Sequence, residues 1–379
     1  MRKTILCLLS VSVLALFVCG CATYYAWTSG DQPDEFYTAK TEDDWTLAMY
    51  RYRPKGPTSF KTPVILCHGL GMNAYMWDLK KEQSFARYLQ DQGFDVWTVD
   101  LRGAGRSSKP GWVVLHDLVS GPNIGDTHLE NIFRFDHTDW NIDDYALKDV
   151  PVIIKEVKRI TGSDKVSWVG HSMGGMILFA YLVRTQDTSI QSFAALATPM
   201  SMPPPHSELL NILSQHSNLK DLACLINSRM TARSFGVFGS FGGTPLDPVL
   251  YNRDNMENEI VTRLLVNAME DLSPGVLDGF VGMIKTGEFM SRDKTFNYTR
   301  ALSSVKVPIL LVGGRADNLC SIVSLYDTYR AISSSDKTLR IFARCNGYRV
   351  DYGHNDLIAG RNAPQEVYPY VARWLKERS

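Results

Sequence analysis

The stretch Lys-Val-Ser-Trp-Val-Gly-His-Ser-Met-Gly-Gly-Met at residues 165–176 constrains the fold more than any other part of the chain. Residues 166–169 are mostly apolar with valine at both ends and predict a short buried strand. The apolar run 176–183 predicts a helix. Between them, Gly170, Ser172 and Gly174 spell G-x-S-x-G. Strand, tight turn and helix in that order hold a serine at the strand tip, on a helix N-terminus, with its hydroxyl exposed. A turn that sharp brings backbones together where a Cβ would clash, and glycine relieves the clash. By chance the motif occurs on the order of 0.1–0.2 times in a chain of this length. A strand–helix turn with a capping serine is the plainer alternative, so more is needed.

The rest comes from order along the chain. A serine hydroxyl is a weak nucleophile near neutral pH; it needs a base within hydrogen-bond reach, and the base needs an orienting carboxylate. Ser172, Asp317 and His354 supply the set in the order Ser…Asp…His, each just after a predicted strand. His171 lies inside the turn and reads as a structural or subsite residue. His116, His128 and His137 precede Ser172 and are out of order. Asp356, two residues beyond His354, reads as a brace for that loop. Acyl transfer also needs donors for a developing oxyanion. The Met173 N–H, directly after the serine, is one candidate. The turn at His68-Gly69-Leu70-Gly71 offers the Leu70 N–H as the second.

Strands are predicted at 45–52 (an antiparallel edge strand), 64–67, 94–99, 166–169, 193–197, 307–312 and 339–343. Helices are predicted at 81–92, 143–161 and 365–376. Alternation of this kind implies an α/β fold with a mostly parallel sheet covered on both faces. Sites in such sheets gather at the carboxyl ends of strands. Residues 108–141 form a long irregular segment, of the sort that covers a site. The Asp100-Leu101-Arg102-Gly103-Ala104-Gly105 stretch is not a dinucleotide fingerprint, because Ser108 stands where its third glycine belongs. From 203 to 300 the alternation stops. Helical runs at 257–272 and 275–290 and frequent Met predict an inserted helical cap, with the Met either packing cap on core or offering an adaptable apolar surface. The division expected is 36–202 and 301–379 for the core and 203–300 for the cap.

Residues 1–20 read as a signal peptide rather than fold. Arg2 and Lys3 precede an apolar run of about 14 residues, too short to span a bilayer. Val18-Cys19-Gly20-Cys21 places a small residue before Cys21, the pattern of the bacterial lipobox. Lipidated Cys21 would then begin a tether, 21–35, and hold the protein to the bacterial cell envelope. Ala22 fits the outer membrane of a Gram-negative cell; plain secretion, including to the periplasm, and an uncleaved anchor stay open. Of seven cysteines, the spacing of Cys67, Cys224, Cys320 and Cys345 matches no zinc pattern. Cys67 reads as a core residue. A Cys320–Cys345 disulfide suits an oxidising compartment. The formal charge is zero, so no basic face argues for nucleic acid.

Taken together, His68-Gly69-Leu70-Gly71, the Asp100–Ser107 motif, Gly170-His171-Ser172-Met173-Gly174-Gly175, Gly313-Gly314-x-x-Asp317 and Gly353-His354 make the chain resemble the α/β-hydrolase superfamily over roughly residues 45–379. Asp95-Val96-Trp97, residues 140–145, Asp149-Val150-Pro151 and His354-x-Asp356-Leu357 resemble its acid-lipase-like and polyhydroxyalkanoate-synthase-like branches. The synthases carry cysteine as nucleophile and dehalogenases of the fold carry aspartate, so Ser172 favours ester hydrolysis. The resemblance implies a serine esterase or lipase that acts on a small-molecule or lipid ester without a metal or organic cofactor. An acyltransferase with the same triad and a non-catalytic surface lipoprotein are the rival readings. Oligomeric state is not legible.

Overall fold

The structure is a computed structural model that describes residues 32–55, 60–109, 139–204, 232 and 247–379. Residues 1–20, expected as a signal peptide, and Cys21, His116, His128, His137 and Cys224 lie outside the described residues, as does most of the expected cap before 247. Ten strands are described: β1 (Glu35–Lys40), β2 (Thr46–Tyr52), β3 (Val64–Cys67), β4 (Asp78–Lys80), β5 (Gln83–Ser84), β6 (Val96–Asp100), β7 (Val166–His171), β8 (Ile190–Leu196), β9 (Ile309–Gly314) and β10 (Lys337–Phe342). Eight of them form one sheet in the order β1-β2-β6-β3-β7-β8-β9-β10; β4 and β5 pair separately. From β6 to β10 every pairing is parallel, whereas β2 runs antiparallel to both β1 and β6.

Burial explains the parallel centre. All four residues of β3 and all six of β7 are buried, as expected where both faces of a sheet are covered. In β3 successive side chains enter opposite cores: Val64 and Leu66 on one face, Ile65 and Cys67 on the other. The first face also receives α1 (Phe85–Asp91), and the second receives α2 (Val150–Thr161) and α3 (Met173–Thr185). Helix α3 is buried continuously from Met173 to Val183, so it sits inside the molecule rather than on its surface. Later helices are α4 (Asn258–Arg263), α5 (Pro274–Thr286), α6 (Ile322–Ala331) and α7 (Ala363–Lys376), of which α7 packs on the face of α1.

Several expectations shift. The strand 45–52 is not at the edge: β1 lies outside it, tied by Arg51 to Glu35 at 3.1 Å. The helix expected from 81 starts at 85, because Gln83 and Ser84 pair with β4 and the Ser84 hydroxyl caps the helix by accepting from the Arg87 N–H. Helix α3 begins at Met173, not 176. Helix α6, between β9 and β10, had no counterpart among the expected elements. The helical run 257–272 breaks: α4 passes into a wide turn, Leu264–Ala268, and from Met269 the chain is extended, with residues 268–270 paired to residues 71–73. Cys320 and Cys345 are not bridged; Cys320 is fully buried, Cys345 is exposed, and both thiols are free. Met200, Met202, Met256 and Met283 are all buried, which favours the packing account of these methionines.

Candidate active site

Ser172 occupies the turn between β7 and α3 with φ 52° and ψ −117°. A left-handed non-glycine residue of this kind costs about 1–3 kcal/mol and persists only where neighbours hold it. Here its N–H donates to Leu196 O on β8 at 2.8 Å, and its carbonyl accepts from Gly175 and Met176 at 3.0 and 3.1 Å. Gly174 is required by close approach: a Cβ there would lie 2.6 Å from the His68 carbonyl oxygen and nearer still to that of Cys67. The helix therefore starts hard against the end of β3, and the serine is lifted to the rim of the sheet.

Asp317 follows β9, and His354 lies on the loop between β10 and α7. His354 Nδ1 lies 2.9 Å from Asp317 Oδ2, and both side chains are buried. The other carboxylate oxygen, Oδ1, accepts the N–H groups of Leu319 and Cys320, each at 2.8 Å. The carboxylate is thus fixed by two backbone donors and one imidazole. Burial and the neighbouring Asp317 push the Cys320 thiol well up, so it stays protonated and apolar.

His171 joins the serine turn to the histidine loop. Its Nε2 lies 3.1 Å from the His354 carbonyl oxygen, and the two rings sit 4.8 Å apart between centroids. Burial, with His354 close by, holds its pKa well below the ordinary histidine value, so the ring is neutral and Nε2–H donates to that carbonyl. Ser172, Asp317 and His354 are therefore brought to one rim, with His171 as a structural link.

The turn after β3 completes the rim. Gly69 packs so closely that a Cβ would lie 3.3 Å from Ser172 Cβ. His68 fixes this turn. Its Nε2 accepts the Leu101 N–H at 3.1 Å, so Nδ1 carries the proton and donates to Gly69 O at 2.9 Å. Burial lowers its pKa, against the pull of Asp100, which agrees with a neutral ring. Among the described residues no protein acceptor takes the N–H of Leu70 or of Met173.

Around these loops sequence reasoning names one brace, Asp356, and misses the residues it holds. Asp356, expected as a brace, accepts the N–H groups of Gly353 and Asn252 at 2.9 and 3.0 Å on Oδ1, and Asn255 Nδ2 at 2.9 Å on Oδ2. Its partners Asn252 and Asn255 carry no local signal in the sequence. Arg102, fully buried, pairs with Asp149 at 2.6 Å and so anchors the loop after β6. Among the described residues no cluster of His, Cys, Asp and Glu suits a metal ion.

Comparison with known proteins agrees with this geometry. Residues 62–222 match the family described as alpha/beta hydrolase fold. Triacylglycerol lipase 1 of Arabidopsis thaliana is 23% identical over 367 residues, spanning 90% of this chain and 87% of that protein. A probable lipase of Schizosaccharomyces pombe is 26% identical over 382 residues, spanning 90% of this chain and 75% of its own length. Among solved structures, an esterase from Exiguobacterium antarcticum matches with a TM-score of 0.60 at 15% identity, over 90% of this chain and all of that one. A membrane phospholipase A matches with a TM-score of 0.57 at 18% identity, over 100% of this chain and 99% of that one. At such identities the structural likeness speaks for the fold. The chain has the α/β-hydrolase fold, and its residues 62–222 are similar to that family.

Proposed function

We propose that this protein is a serine hydrolase of esterase or lipase type that cleaves carboxylic esters through an acyl-enzyme on Ser172. The observation that carries the reading is the buried His354–Asp317 pair on the same rim as a serine held in a left-handed turn. His354, hydrogen-bonded to Asp317 through Nδ1, keeps Nε2 as the acceptor for the Ser172 proton. Ser172 Oγ attacks the ester carbonyl, and the negative charge that develops on its oxygen is met by the N–H groups of Leu70 and Met173. The Met173 donor sits at the first turn of α3, where backbone N–H groups are unpaired and the helix dipole favours an anion. Collapse of the intermediate expels the alcohol, protonated by His354. Water, deprotonated by the same imidazole, then releases the acid and restores Ser172. The relatives named as lipases support the ester substrate class.

The finer reading is a protein tethered to the bacterial envelope by acylated Cys21 and acting on acyl or aromatic esters. It rests on the N-terminal sequence pattern and the apolar composition of residues 203–300. Metabolic labelling with a palmitate analogue should mark the protein and fail with Cys21→Ser; equal labelling of the variant would remove the anchor.

A panel of p-nitrophenyl esters from acetate to palmitate tests the activity. A burst of nitrophenol followed by steady turnover is expected, with both lost in Ser172→Ala. The loss in kcat should be on the order of 10⁶-fold. Unchanged turnover in that variant would refute the assignment, and the rate profile along the series reports pocket depth.

A further inference from the structure

The turn that carries the Leu70 N–H is gripped from outside the sheet. Residues 71–73 pair with residues 268–270 of the segment between β8 and β9. Glu270 donates its N–H to Gly71 O at 2.8 Å, Asn73 donates its N–H to Ala268 O at 2.9 Å, and Met72 bridges Met269 in antiparallel fashion. Gly71 is left-handed, with φ +62°, and Leu272 fills the place a Cβ would take.

The Glu270 side chain then returns to the same turn. Its Oε1 accepts from Asn73 Nδ2 at 2.7 Å and from the Gly105 N–H at 3.0 Å, while Oε2 lies 3.2 Å from Lys109 Nζ. Asn73 Nδ2 also donates to Asn267 O at 2.8 Å, and Asn73 Oδ1 accepts the Tyr75 N–H at 3.0 Å. One buried carboxylate thereby joins three chain segments: the turn after β3, the loop after β6 and the insertion. An apolar residue would pack there without the cost of desolvating a charge, and a buried ion pair is weak evidence for stability. What the carboxylate does provide is direction, since each acceptor oxygen fixes the donor aimed at it.

We propose that Glu270 is a positioning residue for the oxyanion site: by holding Asn73 and Gly105 it sets where the Leu70 N–H points. The proposal rests on the assignment of Leu70 in the proposed function. An oxyanion donor acts only within a narrow range of the oxygen it serves, and a misplacement near 1 Å costs on the order of a hundredfold in rate. Glu270 touches neither substrate nor Ser172; it acts through the turn.

Two double variants separate the positioning role from the buried charge. Glu270→Gln with Lys109→Met discards the ion pair and keeps an acceptor oxygen for Asn73 and Gly105. Glu270→Leu with Lys109→Met discards both. Rates are expressed per Ser172 titrated with a fluorophosphonate, so that only folded protein is counted. The leucine pair should lose on the order of ten- to a hundredfold in kcat, with KM within about threefold. Its affinity for a trifluoromethyl ketone, which forms an oxyanion on the enzyme, should fall in step. The glutamine pair should recover most of both. Should the leucine pair yield no titratable protein, Asn73→Ser is read by the same criteria, because its hydroxyl still accepts the Tyr75 N–H while the donor to Glu270 is gone. A leucine pair within about twofold of the glutamine pair in kcat would overturn the proposal, as would a change confined to KM. Ser172→Ala is run alongside. Turnover that survives there sinks the hydrolase reading itself, whereas turnover lost there and retained in the leucine pair sinks only the role of Glu270.

Discussion

Ser172 and Asp317 stand just beyond the carboxyl ends of β7 and β9 and His354 lies on the long loop after β10, while the loops beside them are gripped by residues 250–273 of the segment between β8 and β9. On the sheet side, the position of Ser172 follows from apolar packing. Strand β7 is wholly buried, α3 is buried behind it, and Gly174 lets the two meet at van der Waals limits. On the insertion side, position follows from polar contacts: Asn252 and Asn255 on Asp356, and Asn73 on Glu270. Apolar packing is indifferent to pH and directional only through shape. Hydrogen bonds to buried carboxylates are directional and titrate. Ser172 is therefore placed by the packed core, and the loops beside it are aimed by polar contacts from residues 250–273.

The largest test of this division lies on the sheet side. Asp317→Asn keeps the shape of the site but lets His354 take the wrong tautomer. It should lower kcat by about 10⁴-fold and leave the denaturation midpoint nearly unchanged. A small kinetic effect would mean that another carboxylate orients His354. Next comes Gly174→Ala, whose methyl would meet the backbone oxygens of Cys67 and His68, which cannot swing away. Denaturant unfolding should show a loss of about 3 kcal/mol. An unaffected midpoint would show that the contact between β3 and α3 is looser than described.

On the insertion side the expected effect depends on pH. Burial pushes the Asp356 carboxyl up to about 6, against the pull of its N–H donors. A carboxyl whose folded pKa exceeds its unfolded one binds its proton more tightly in the fold. Its stabilising contribution is then complete below about pH 4 and is lost as pH rises through about 6. The stability of wild type relative to Asp356→Asn should therefore fall across that window, by about 3 kcal/mol at most. A flat or rising difference would contradict the assigned shift. Smallest of all is Arg300→Ala. Arg300 meets Glu288 at 2.7 Å on the surface, and its loss should change stability by about 0.5 kcal/mol or less without touching kcat.

The same division decides what could be read from the chain. Ser172 and Asp317 were legible because each follows an apolar strand and a glycine pattern, and His354 because it follows Gly353 and completes the order Ser…Asp…His. The parallel core was legible because residues 64–67 and 166–169 are short buried runs. Strand β1 was not, since Glu35–Lys40 exposes Phe36, Thr38 and Lys40, buries only Ala39, and makes sense only once paired to β2. The run 257–272 has helical periodicity throughout, yet its end is extended because Met269 and Glu270 find partners almost two hundred residues away. Asn73, Asn252 and Glu270 were invisible for the same reason: a brace is defined by what it touches, and no local pattern encodes a distant partner. The Cys320–Cys345 pairing failed on burial, with one thiol sealed in the core and the other at the surface.

The most direct measurement is the mass of the intact protein and of its peptides after reaction with a fluorophosphonate, which adds to a serine only where a base has activated it. One adduct on the peptide bearing Ser172 is expected, absent in Ser172→Ala and strongly slowed in His354→Ala. No adduct, or one that forms on Ser172 at the same rate without His354, would contradict the convergence of these side chains on a single site.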